Sequence, residues 1–202
     1  MSAQLVHSAP KKSNGGPPLL FVHGAFSGAW CWEEHFLPWF AKAGFDAYAI
    51  DLPGRIGRPD YENLQGFTVA DYLNAVLDAV KQFDKPPVLI GHSMGGYLGW
   101  RAAEISSLAG LVLMAPVPPT GMAAPAMQLM VSNPELFMDM SEITQGEAAS
   151  VETLFATLFS NEVPQETVMR HLKRFQNESR LAVAGLYTTG FPNALAFWGT
   201  PV

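Results

Sequence analysis

The run PPVLIGHSMGGYLGWRAAE, Pro86 to Glu104, changes its periodicity halfway along. Its first part is a short, continuous apolar stretch, the pattern of a strand buried on both faces. From Met94 to Ile105, Tyr97, Leu98, Arg101, Ala102 and Ile105 fall on related turns of a helix. Between the two sits Gly91-His92-Ser93-Met94-Gly95, a small hydroxyl flanked by glycines. A side chain at Gly91 or Gly95 would crowd a sharp turn. The stretch therefore predicts strand, tight turn, helix, with Ser93 at the apex.

The same design recurs on either side of this run. LLFVHG (Leu19 to Gly24), FDAYAIDLPG (Phe45 to Gly54) and LAGLVLMAPVP (Leu108 to Pro118) are apolar runs punctuated by glycine or proline. Between them, Thr68 to Phe83 places Val69, Leu73, Val76, Leu77 and Val80 at helical spacing, and Thr68 with Asp71 resembles a capping box. Alternating strands and helices predict an α/β fold, a doubly wound, mostly parallel sheet. KKSNGGPP, Lys11 to Pro18, reads as a loop. After Pro119 buried-strand patterns stop. SVETLFATLFS and PQETVMRHLKRFQ are helical, and Met122, Met127, Met130, Met138 and Met140 cluster nearby as adaptable packing or a pocket wall. The expected organisation is a core over residues 1–119, a helical cap insertion over 120–196 above the strand ends, and the start of a further core strand at 197–202.

The bulk properties narrow the function classes. The chain has 202 residues, 49% of them hydrophobic, and a formal net charge of -6, so it lacks the basic footprint of a nucleic-acid binder. No run is long and apolar enough to span a bilayer, and MSAQLVHSAPKKSNGG lacks the apolar segment of a signal peptide. A cytoplasmic protein is the expectation. The single cysteine, Cys31, lies between two tryptophans and reads as packing rather than as a reactive thiol. No metal or organic cofactor is implied.

A serine hydroxyl becomes a nucleophile when it is exposed, oriented and relieved of its proton. The strand-turn-helix setting of Ser93 is that of a nucleophile elbow, which exposes the hydroxyl above the sheet. Acyl transfer also needs donors for the developing oxyanion. The backbone N–H of Met94 is one. The second is expected from the loop after the first core strand, where Gly24 permits close approach and Ala25 N–H is the natural donor, with Phe26 as the alternative. His23 reads as a loop-ordering residue and His92 as a packing residue.

FVHGAFSGAWCWEEHFLPWFAKAGFDAYAIDLPG together with VLIGHSMGGYLGWRAAE resembles the α/β-hydrolase superfamily. HGAFSGAWCW resembles the branch that holds small esterases, lysophospholipase-like hydrolases, plant methylesterases and hydroxynitrile lyases. The likeness covers Leu19 to Pro118 and extends only loosely into the cap. It departs at DLPGRIGRP, Asp51 to Pro59, where relatives often carry D-x-x-G-H-G. Serine at the nucleophile position argues against the dehalogenase and epoxide-hydrolase branches.

The resemblance implies a triad in the order serine, acid, histidine. His7, His23, His35, His92 and His171 do not occupy the expected place, and APVPPTG offers no acid after its strand. By the same resemblance the acid, the base and two strands would follow over roughly 60 to 70 further residues. The 202 residues are therefore expected to be a fragment. Alone it would hydrolyse activated esters poorly and self-associate through the uncovered edge of its LVLMAP strand. The function implied is a carboxylic ester hydrolase acting on a small or medium apolar substrate through an acyl-enzyme on Ser93. Two alternatives stay open: a hydroxynitrile-lyase-like or C–C bond hydrolase on the same fold, and an inactive scaffold that binds a small ligand or partner.

Overall fold

Leu19, Leu20, Phe21 and Val22 make up the whole of strand β2 (Leu19–Val22), and each is 4% exposed or less. A strand with no exposed face needs cover on both sides. In the computed structural model that cover comes from two separate clusters. Leu20 and Val22 join Ile50, Tyr72, Val76, Leu89, Met94 and Leu98 on one face. Leu19 and Phe21 join Ala29, Trp32, Leu37, Ala47, Ala49 and Ile90 on the other. The two-residue period of a strand divides its side chains between these layers. The structure describes residues 4–55, 57–58, 60–145, 162–188 and 200–202, the last four of 60–145 by backbone alone.

The elements run β1 (Gln4–Ser8), β2, α1 (Trp30–Glu33), α2 (Phe36–Lys42), β3 (Ala47–Asp51), a 3-10 helix (Tyr61–Gly66), α3 (Val69–Val80), β4 (Val88–His92), α4 (Met94–Ala103) and β5 (Gly110–Met114). After them come α5 (Ala123–Ser132), α6 (Pro134–Gln145), α7 (Gln165–Leu172) and α8 (Arg180–Tyr187). The sheet order is β1-β3-β2-β4-β5. Strands β2 to β5 are parallel, with Leu19 opposite Ala47 on one side and Val88 on the other. The expected α/β fold with a mostly parallel sheet is therefore present, and the Thr68–Asp71 capping box forms at the start of α3.

Strand β1 is a further strand, beyond those marked by apolar runs. It pairs antiparallel with β3, Gln4 opposite Asp51, and is anchored by His7, which stacks on Tyr48 with ring centroids 4.0 Å apart. Its residues are exposed or half-buried, so it lacks the continuous apolar run that marks the central strands.

All regular elements among the described residues from 120 to 188 are helices. All of SVETLFATLFS and the first part of the expected strand at 197–202 lie outside the described residues. Met122 packs on the core, and Met127, Met130 and Met138 are exposed rather than enclosed. Strand β5 stands at one edge of the described sheet. There Val112 is exposed and the Leu111 N–H donates to the Pro201 carbonyl at 2.8 Å.

Candidate active site

In a doubly wound sheet, ligands bind beyond the carboxyl ends of the strands where the winding reverses. Here the chain leaves β2 toward β3 on one side and β4 toward β5 on the other, so the reversal lies between β2 and β4. The loops leaving those two strands are Gly24-Ala25-Phe26 and Ser93-Met94. Topology and motif reading thus select the same point.

Ser93 occupies the turn between β4 and α4 with φ 52° and ψ -118°, a left-handed backbone that costs a non-glycine residue about 1–3 kcal/mol. Its neighbours hold it there. The Ser93 N–H donates to Met114 O at 3.0 Å, and its carbonyl accepts from Val117 N–H at 3.1 Å, both from the exit of β5. A Cβ on Gly91 would collide with the Gly95 carbonyl, and one on Gly95 with the Val22 carbonyl. The two glycines are required by backbone packed against backbone.

The Ser93 side chain is half-buried, does not cap the helix it precedes, and makes no hydrogen bond to a described residue. Met94 N–H is one of the first-turn donors that a helix leaves without an internal partner. Gly24 lies directly alongside, since a Cβ added to it would sit 3.2 Å from Ser93 Cβ. Of the two candidate second donors, Phe26 N–H is already engaged, donating to Glu178 Oε2 at 3.1 Å. Among the described residues Ala25 N–H has no partner. Ala25 N–H, the donor favoured by the sequence, is therefore the unengaged one of the two among the described residues.

His23 is fully buried beneath this loop. Leu52 N–H donates to its Nε2 at 3.2 Å, so the ring proton sits on Nδ1, which is 2.8 Å from Gly24 O. Burial, then the nearby Arg55 charge, hold its pKa well below the usual histidine value. His92 corrects the reading as a packing residue: its side chain is exposed, with Nδ1 close against Gly24. His171 sits in α7, stacked on Trp30. None of the five histidines hydrogen-bonds the Ser93 hydroxyl. Cys31 is half-buried, and burial raises its thiol pKa to about 11, consistent with packing.

The neutral state of His23 has a measurable consequence. Below about pH 6.5 the unfolded chain takes up a proton that the folded chain refuses, so His23 makes stability fall with falling pH. Wild type should lose about 1 kcal/mol more than a His23→Gln variant between pH 6.5 and 5.5. Urea midpoints at the two pH values measure this. Equal losses would show that His23 does not titrate on unfolding.

The loop where the sequence departs from the family pattern is organised by two arginines that motif reading did not single out. Arg58 pairs with Asp60 (Nε to Oδ1, 3.0 Å) and donates to Asp51 O at 3.1 Å. Arg55, 1% exposed, forms a two-pronged ion pair with Glu178, Nη1 to Oε1 at 3.2 Å and Nη2 to Oε2 at 2.8 Å. Arginine in a Gly/Pro-rich loop was a visible signal. The partner 123 residues further on was not.

A sheet of this topology with a nucleophile-elbow geometry defines the α/β-hydrolase class. The family model described as "Alpha/beta hydrolase family" matches residues 19–201, and the chain belongs to that family. It is 35% identical over 85 residues to "Probable esterase PIR7A" of Oryza sativa subsp. indica, an alignment covering 41% of this chain and 32% of that protein. Methylesterase 7 of Arabidopsis thaliana is 31% identical over 108 residues, covering 50% and 40% of the two chains. In structure, the chain resembles the methylesterase MES16 from Arabidopsis with a TM-score of 0.64 at 20% identity, covering 90% and 74%. The chain spans about a third of the length of the first of these curated relatives. No helix among the described residues is long and apolar enough to cross a membrane.

Proposed function

We propose that the protein is a serine hydrolase cleaving carboxylic esters of small or medium apolar substrates. Ser93 Oγ attacks the ester carbonyl, and the Met94 and Ala25 N–H groups hold the oxyanion that forms. Collapse of that intermediate expels the alcohol and leaves an acyl group on Ser93, which water then releases. A general base must take the Ser93 proton and return it to the leaving alcohol. That base and its acidic partner are assigned to no residue of these 202. No cofactor is needed for these steps. The observation that carries the reading is the Ser93 hydroxyl, unbonded among the described residues, at a left-handed strand-to-helix turn directly beside Gly24. The esterase and methylesterase names of the relatives support an ester as the carbonyl substrate. The helices from 120 onward are proposed as the cap, and the cytoplasm as the location.

Two measurements on the full-length protein test this reading. A fluorophosphonate should add one label, mapped by peptide mass to Ser93, and short-chain p-nitrophenyl esters should be turned over. Ligand binding with neither labelling nor turnover would favour the inactive scaffold instead.

A further inference from the structure

Glu178 is 4% exposed, and its side chain shows no solvent exposure. A carboxylate so placed is costly unless its oxygens are fully hydrogen-bonded. Here five donors converge on it. Arg55 supplies two, Tyr72 OH donates to Oε1 at 2.6 Å, Ser179 N–H donates to Oε1 at 2.9 Å, and Phe26 N–H donates to Oε2 at 3.1 Å. Four of these brace the carboxylate, and the fifth comes from the loop beside Ser93. The Phe26 carbonyl is held from the same segment, accepting from Gln176 N–H at 3.0 Å. Phe26 itself has φ 63°, a left-handed conformation that needs such restraint.

We propose that Glu178 is a positioning residue for the oxyanion site. By taking Phe26 N–H it fixes the peptide that follows Ala25. It also withdraws the competing donor and leaves Ala25 N–H as the group presented beside Ser93. Arg55 holds the carboxylate in place through its two hydrogen bonds. The strap from Gln176 to Ser179 thereby ties the helical segment to the catalytic loop: Gln176 Nε2 also donates to Gly54 O, and Ser179 Oγ to Phe67 O. The inference rests on the hydrolase reading, but its central contact can be read without turnover.

Glu178→Asp keeps the charge for Arg55 and draws the carboxylate back from Phe26. Tyr72→Phe removes one brace and leaves the Phe26 contact. In the full-length protein, Glu178→Asp should lower kcat by about 10- to 100-fold, part of the loss seen when an oxyanion donor is deleted. KM should stay within about two-fold, and affinity for a trifluoromethyl ketone, which mimics the tetrahedral intermediate, should fall with kcat. Tyr72→Phe should lower Tm and leave kcat within about two-fold. Losses of kcat that track Tm in both variants would reduce Glu178 to a structural brace and overturn the proposal. Amide hydrogen exchange provides the independent readout. In wild type Phe26 N–H should be protected and Ala25 N–H should not, and Glu178→Asp should abolish the difference while Tyr72→Phe keeps it. Equal exchange of the two amides in wild type overturns the inference even if no variant folds. An inactive wild type with the protected Phe26 amide overturns the ester reading instead.

Discussion

Ser93→Ala in the full-length protein should abolish ester turnover, by a factor on the order of 10^4 to 10^6, with the fold intact. The alanine retains the backbone, so the hydrogen bonds to Met114 O and from Val117 N–H persist and stability should change little. Only the hydroxyl is lost, and with it the covalent route. A small residual rate should remain, because the proposed donors, the Met94 and Ala25 N–H groups, would still stabilise the oxyanion formed by attacking water. Side-by-side kcat, KM and thermal melts measure this. A variant that keeps more than about a tenth of wild-type turnover would place the nucleophile elsewhere.

The second large effect concerns the fold. Gly95→Ala should destabilise the protein by about 3 kcal/mol or more, or prevent soluble folding altogether. Two effects oppose each other at this position. Alanine in helix α4 would gain about 1 kcal/mol of helix propensity over glycine. Against that, its Cβ would run into the carbonyls of Val22 and His23, which belong to the central strand and its exit and cannot rotate away as a side chain would. The clash should win, lowering Tm by roughly 6–12 °C in a domain of this size. Gly66→Ala is the control, since a Cβ there meets nothing within 4 Å. Similar small shifts for both variants would mean that α4 can slide away from β2.

The central sheet was legible because its strands are covered on both faces, which writes continuous apolar runs such as Leu19–Val22 into the chain. Strand β1 was not, because an edge strand of half-exposed residues has no such signature. The elbow was legible as well, since backbone packed on backbone admits only glycine at positions 91 and 95. By contrast, Glu178 looked like any acidic residue in a polar stretch, NES. Its importance comes from Arg55, Tyr72 and Phe26, all more than 100 residues away, and nothing in local spacing encodes that convergence. The sequence favoured Ala25 over Phe26 from the position of Gly24, but the partner that takes the Phe26 amide, Glu178, was not visible in it.

Ser93 borrows its shape from the neighbouring strand. Its N–H and carbonyl are both held by the exit of β5, where Ala115 is itself left-handed with φ 42°. Two uncomfortable residues on adjacent strand ends therefore lean on each other. Proteins open in cooperative local units, and shared hydrogen bonds of this kind make one unit of the elbow and the end of β5. If the exit of β5 loosens on warming, the turn that presents Ser93 loses what keeps it strained and relaxes with it. Heat inactivation of the full-length protein should then follow the loosening of this one strand end.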